Sequence, residues 1–177
     1  VVGYQAMTAN SAGDFCVAIG TNALDAAVST DGHVAIGHSA LGALTSGNAN
    51  TAVGYQALNA MTEGGGNVAL GYHALKGANH ADADNNIAIG VSTLDGISTN
   101  GAASNIAIGS DALGGALTGD YNIAIGQSSG DVVTSASGSV FVGRDAGGTV
   151  TTGNMNIGIG YLAMNGAATT GDNNIAI

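Results

Sequence analysis

The sequence predicts an all-β fold, a parallel β-roll or β-solenoid with coils of about 17 residues, two of them lengthened to 19. One observation is a recurring phrase, Ile123-Ala124-Ile125-Gly126, seen also as Val17-Ala18-Ile19-Gly20, Val34-Ala35-Ile36-Gly37, Val68-Ala69-Leu70-Gly71, Ile87-Ala88-Ile89-Gly90 and Ile106-Ala107-Ile108-Gly109. Looser copies end at Gly54, Gly143 and Gly160, and half-copies lie at Gly3 and Ile175. A second observation is the spacing: successive anchoring glycines are 17 residues apart, except for the two 19-residue steps between Gly71 and Gly109. The third is the period-two alternation before each glycine, which reads as a short strand with one buried face. A regular repeat of this length is one structural unit that cannot cover its apolar side alone, so neighbours must stack.

Composition agrees. The 177 residues hold 31 Gly, no Pro, no Trp and two Phe, with 45% hydrophobic and 8% charged residues. Small aliphatics, not aromatics, must fill the core. A disordered tract would lack the Ile and Val, and collagen would need Gly at every third position with abundant Pro. No apolar run approaches the roughly 18 to 20 residues of a membrane span, so no membrane insertion is expected. Twelve acidic residues against Lys76 and Arg144 give a formal charge of -10, which argues against nucleic acid, whose phosphates need a basic stripe. Cys16 is the single cysteine, leaving no disulfide framework and no Cys-based metal site. The repeat runs without an internal boundary, so residues 1–177 are expected to form one solenoid segment. The start at Val1 and the stop inside a phrase at Ile177 read as part of a longer fibre protein.

Within each coil, the residues three and one before the glycine are β-branched or Leu, and the second of these is assigned to the core: Ile19, Ile36, Val53, Leu70, Ile89, Ile108, Ile125, Val142 and Ile159. Between them stand Ala18, Ala35, Ala52, Ala69, Ala88, Ala107 and Ala124, then Phe141 and Gly158. A solvent-facing strand position would drift toward Thr, Lys or Glu. The constant Ala is therefore expected to face another chain at close range. After the glycine come two variable positions and then a small residue and Leu, as in Ala40-Leu41 and Ala57-Leu58; Ser129-Gly130 and Ala146-Gly147 break that Leu column. Three residues further lies another apolar column, including Ala27, Leu44, Met61, Ile97, Ala116, Val133, Val150 and Ala167. Return turns of Gly, Asn, Asp, Ser and Thr close the coil, and the extra residues of the 19-residue steps fall there, leaving the strands in phase.

Immediately before each strand stands Asn50, Asn67, Asn86, Asn105, Asn122, Asn156 or Asn174, with Cys16, His33 and Ser139 as exceptions. Coils stacked about 4.8 Å apart would turn this column into a ladder of amide hydrogen bonds. A coil buries only a few small side chains against the ordering of a Gly-rich segment, and a roll so thin gains from a partner. A parallel homotrimer, intertwined or side by side along the Ala face, is expected.

The pattern Asn-[Ile/Val]-Ala-Ile-Gly-x-x-Ala-Leu with a Thr-Gly-[Asp/Asn]-x-Asn return turn, as in residues 118–126, resembles the repeats of bacteriophage tail-fibre proteins. It is also similar to the head repeats of trimeric autotransporter adhesins. The resemblance covers essentially the whole chain. It implies a trimeric, extended β-roll in an extracellular fibre, on a virion or a cell surface, that touches a host glycan or protein or spaces something that does. A bacterial surface adhesin or self-assembling extracellular filament is the alternative. An ice-binding solenoid is a minor one, because Thr45, Thr62, Thr134 and Thr151 make too interrupted a Thr ladder.

Candidate chemistry is sparse. His33, His38, His73 and His80 share no column and no metal-ligand spacing, so no metal is assigned. Asp82-x-Asp84-Asn85 resembles a calcium loop but lacks the Gly at its sixth position and the closing Glu, and solvated turn carboxylates are the default reading. Tyr4, Tyr55, Tyr72 and Tyr161 follow their anchoring glycines, and Tyr55 and Tyr72 lie on consecutive coils. Their rings form either a platform for a sugar face or cross-coil packing. With no nucleophile motif, paired carboxylates or phosphate loop, no enzyme activity is expected.

Overall fold

The computed structural model describes residues 1–9, 13–26, 30–97, 101–166 and 170–177. Ten strands, β1 (Val17–Ile19), β2 (Val34–Ile36), β3 (Thr51–Val53), β4 (Val68–Leu70), β5 (Ile87–Ile89), β6 (Ile106–Ile108), β7 (Ile123–Ile125), β8 (Val140–Val142), β9 (Ile157–Ile159) and β10 (Ile175–Ala176), form one sheet in sequence order. Every neighbouring pair is parallel, and each strand places its central residue opposite the next one's, Ala18 against Ala35 and Ala124 against Phe141. The fold is a β-solenoid. Both 19-residue steps keep this register, with Val68 paired to Ile87 and Ile87 to Ile106, because the added residues sit between Ala78 and the buried Ala83 and between Ile97 and the buried Ala102.

The anchoring glycine follows from how closely the coils approach. Its φ lies between 123° and 140°, where a side chain is strained. A Cβ added at Gly54 would stand 2.6 Å from the carbonyl carbon of Gly71, and the column from Gly3 to Gly143 repeats this collision. Beyond the glycine the chain turns through two left-handed residues, the second of them the Leu column, whose φ runs from 48° to 53° from Leu24 to Leu113. This side of the coil is consequently no strand. It is still laddered: Leu41 N–H donates to Ala57 O and Leu58 N–H to Ala74 O, both at 3.1 Å.

The strand faces are reversed from the sequence expectation. Ala18, Ala35, Ala52, Ala69, Ala88, Ala107 and Ala124 are completely buried inside the coil. Ile19, Ile36, Val53, Leu70, Ile89, Ile108, Ile125, Val142 and Ile159, assigned to the core, point outward. Ile19 is 41% and Leu70 45% exposed, and those less exposed are half-covered by the coils above and below. The reason is cross-section. The opposite wall contributes the buried Leu24, Leu41, Leu58, Leu75, Leu94 and Leu113 together with Leu44, Met61, Ile97, Val133 and Val150, so a methyl is all that fits at the strand centre. The Ala column packs on its own coil and is no face for another chain.

The two breaks in the pattern compensate each other. Phe141 takes the Ala position and is fully buried. A Cβ at Gly147 would lie 2.6 Å from Phe141 Cγ, and one at Gly130 would lie 3.1 Å from Phe141 Cδ2, so the ring occupies the room that two missing Leu side chains leave. One expected core residue is displaced: Ala116 is exposed and Leu117 is buried in its place, where the Gly114-Gly115 turn lets the chain advance one residue before it turns inward. Ala27 and Ala167 lie outside the described residues.

Candidate interaction surface

The outer face of the sheet is a single stripe, one strand wide. In β1 through β9 every outward position except Thr51 is Val, Ile or Leu, and none is charged. Nine strands at about 4.8 Å each along the stack and roughly 10 Å across three residues give a footprint on the order of 400 Å². A patch of that size matches the largest apolar patch of an ordinary monomer, a feature that is often functional.

Two polar ladders hold this stripe straight. In the Asn column, the Oδ1 of Asn50, Asn67, Asn86 and Asn105 accepts both the backbone N–H (2.9–3.0 Å) and the side-chain N–H (3.1–3.2 Å) of the next Asn, and Asn174 meets Asn156 in the same way, both at 2.9 Å. The amide Nδ2 also donates to a return-turn carbonyl of the next coil, as Asn86 does to Ala102 O at 2.7 Å. His33 and Ser139 sit in this column as acceptors: Asn50 N–H donates to His33 Nδ1 at 3.3 Å, and Asn156 N–H to Ser139 Oγ at 3.1 Å. Burial pushes the His33 ring below its ordinary pKa, partly offset by the Gly47 backbone and Asp31.

The second ladder went unread in the sequence. Two residues before the Asn column, Asp31, Asn48, Asp84, Asp120, Ser137, Asn154 and Asp172 each accept a backbone N–H from the coil before, at 2.6–3.2 Å. Its residue types are mixed, so only the recurrence of a short acceptor at this offset could have signalled it. Asp84 of the calcium-like segment is thereby engaged with Gly65 N–H, while Asp82 N–H donates to His80 Nδ1 at 3.2 Å, its carboxylate Oδ2 lying 3.5 Å from the same nitrogen. Among the described residues no group of three or more His, Cys, Asp or Glu gathers in a metal-holding arrangement. A polar cleft of about 500 Å³ opens between the return turns 46–48, 63–66 and 81–85, beside the first lengthened coil.

Tyr55 and Tyr72 stack, centroids 5.3 Å apart and planes 10° from parallel, with His38 continuing the stack at 5.1 Å and 17°. His73 lies 3.8 Å from the Tyr72 ring. Tyr55 therefore turns one face to His38 and the other to Tyr72, leaving its edge and hydroxyl toward solvent. Cross-coil packing, one of the two readings above, is thus present, and it leaves Tyr55 43% and Tyr72 50% exposed. A sugar needs a free ring face, which the middle of this stack does not offer. Tyr161 instead carries the Arg144 guanidinium at 5.7 Å from its centroid. Tyr4 is 73% exposed, with no ring contact among those described for the other tyrosines.

No family model, curated protein or solved structure matches this chain.

Proposed function

We propose that the chain is a structural and adhesive segment of an extracellular fibre, of the kind found in phage tail-fibre shafts or heads, assembled as a parallel homotrimer and contributing to host attachment. The observation that carries this reading is the outward Val/Ile stripe: an uncharged aliphatic surface running the length of a chain of net charge -10. A stripe one strand wide suits three copies converging on a common axis, whereas a broad sheet would favour face-to-face pairing. The acidic residues outside the stripe keep assembled fibres apart. The repeating Asn-[Ile/Val]-Ala-Ile-Gly phrase, similar to tail-fibre and trimeric adhesin repeats, supports the same conclusion.

Sedimentation equilibrium tests it. The chain is expected to run as a trimer, and the double substitution Ile108→Asp with Ile125→Asp, which places carboxylates on the stripe while leaving the inward Ala107 and Ala124 intact, is expected to yield monomer. A folded monomer from the unsubstituted chain at micromolar concentration excludes the proposal. Binding of the trimer to host cells, lost on removal of surface glycan or protein, tests the adhesive part.

A further inference from the structure

A stripe with a 17-residue translational repeat looks nearly the same after a shift of one coil. A copy packed against it could slide in steps of about 4.8 Å with little change in aliphatic contact. Identical partners held by such a surface need a feature that does not repeat, or they assemble as a mixture of registers. The inward columns cannot supply one, because they are covered. What can is a side chain next to the stripe that differs from coil to coil.

The position after the anchoring glycine meets that need. It is aromatic on three consecutive coils, His38, Tyr55 and Tyr72, and changes to Thr21 before them and Val91 after. These three rings are stacked on one another, with His73 packed beside Tyr55 and Tyr72. Tyr55 is 43% and Tyr72 50% exposed. Each ring stands two residues beyond an outward Ile36, Val53 or Leu70, so their Cα atoms are no more than about 7 Å apart, and a copy seated on the stripe comes within reach of the ring edges. The block lies in the first half of the chain, so it also distinguishes parallel from antiparallel neighbours.

We propose that the His38–Tyr55–Tyr72–His73 stack is the register lock of the homotrimer, the three copies bringing their stacks to one height around the axis. This rests on the trimeric reading above. A slip of one coil sets His38 of one copy against the Thr21 level of its neighbour and the neighbour's Tyr72 against the Val91 level, so three facing ring levels fall to two.

Disulfide trapping reads register directly. In a Cys16→Ser background, chains carrying Ile89→Cys and chains carrying Ile125→Cys are mixed, assembled and oxidised. Same-site links report in-register copies, whereas the two sites stand two coils, about 9.6 Å, apart in register, so their mixed link reports a slip, since cysteines whose Cα atoms lie more than about 7 Å apart do not bridge. The expected result is same-site links only, with the mixed link appearing once Tyr55→Ser and Tyr72→Ser are added and absent again with Tyr55→Phe and Tyr72→Phe, the trimer persisting throughout. Same-site links alone in the Ser variant, mixed links in the parent, or dissociation of the Ser variant to monomer each overturn the lock. A parent that is monomeric before any substitution instead defeats the trimeric reading, and the two failures are told apart by sedimentation.

Discussion

Phe141 shows how tightly volume is conserved inside the roll. The ring is buried where seven other coils have Ala, and the Gly130 and Gly147 positions on either side give up their Leu to admit it. Phe141→Ala should cost about 3–5 kcal/mol by opening a cavity, and adding Gly147→Leu should return part of that, because Leu already adopts a left-handed φ at this position in other coils. Gly147→Leu alone should be strongly destabilising, and urea unfolding of the three variants reports the coupling. His33 makes a second case. Its Nδ1 accepts from Asn50 N–H and its Nε2 pairs with the Thr30 hydroxyl at 2.9 Å, so the ring is neutral and Nε2 carries the hydrogen. The folded pKa lies below the unfolded value of 6.5. The unfolded chain thus binds more protons between those values, and stability falls as pH drops through about 6.5, levelling off below the folded pKa. His33→Asn should remove that share of the loss, seen by comparing melting temperatures near pH 7.5 and pH 5.

Coil by coil, the sequence disclosed whatever repeats at a fixed offset. The ten strands, the Asn ladder and the placement of both 19-residue expansions could be read because one residue type returns in each column. The facing of the strand could not, since Ala and Val/Ile are both apolar and alternation says only that two faces differ. The deciding signal was nevertheless present: Phe141 in the Ala column coincides with Gly130 and Gly147 in the Leu column, a volume exchange that makes sense only if both columns fill one core. The shift from Ala116 to Leu117 had no such signature, because it depends on how Gly114-Gly115 turns. The anchoring glycine gives the sharpest test at this scale. Gly54→Ala drives a Cβ into the Gly71 backbone, whereas at Gly138 the added atom meets only Met155 Cγ at 3.6 Å and only φ is strained. Gly138→Ala is expected to cost about 1–3 kcal/mol and Gly54→Ala clearly more, measured by denaturant titration.

As a whole, the molecule is held together by neighbours one coil apart, and no strand pairs beyond the next one. Stability in such a stack is nearly a sum of coil and interface contributions, and opening proceeds from the ends. In the 177-residue chain taken by itself, backbone amides of β5 and β6 should accordingly exchange hydrogen far more slowly than those of β1 and β10, with a graded profile between, and a uniform rate along that chain would contradict this picture. Charge acts at the same scale. Burial raises the Asp95 and Asp131 carboxyls above their ordinary pKa, and Asp111 and Asp145 beside them add to the shift.

The glycine-to-carbonyl approach also makes the protein a ruler. Each anchoring glycine sets the distance to the next at one peptide spacing, about 4.8 Å, whatever the intervening turn contains. Gaining or losing one 17-residue unit would change the length of the solenoid by that increment and leave every remaining junction as it was, so length can be inherited in whole graduations.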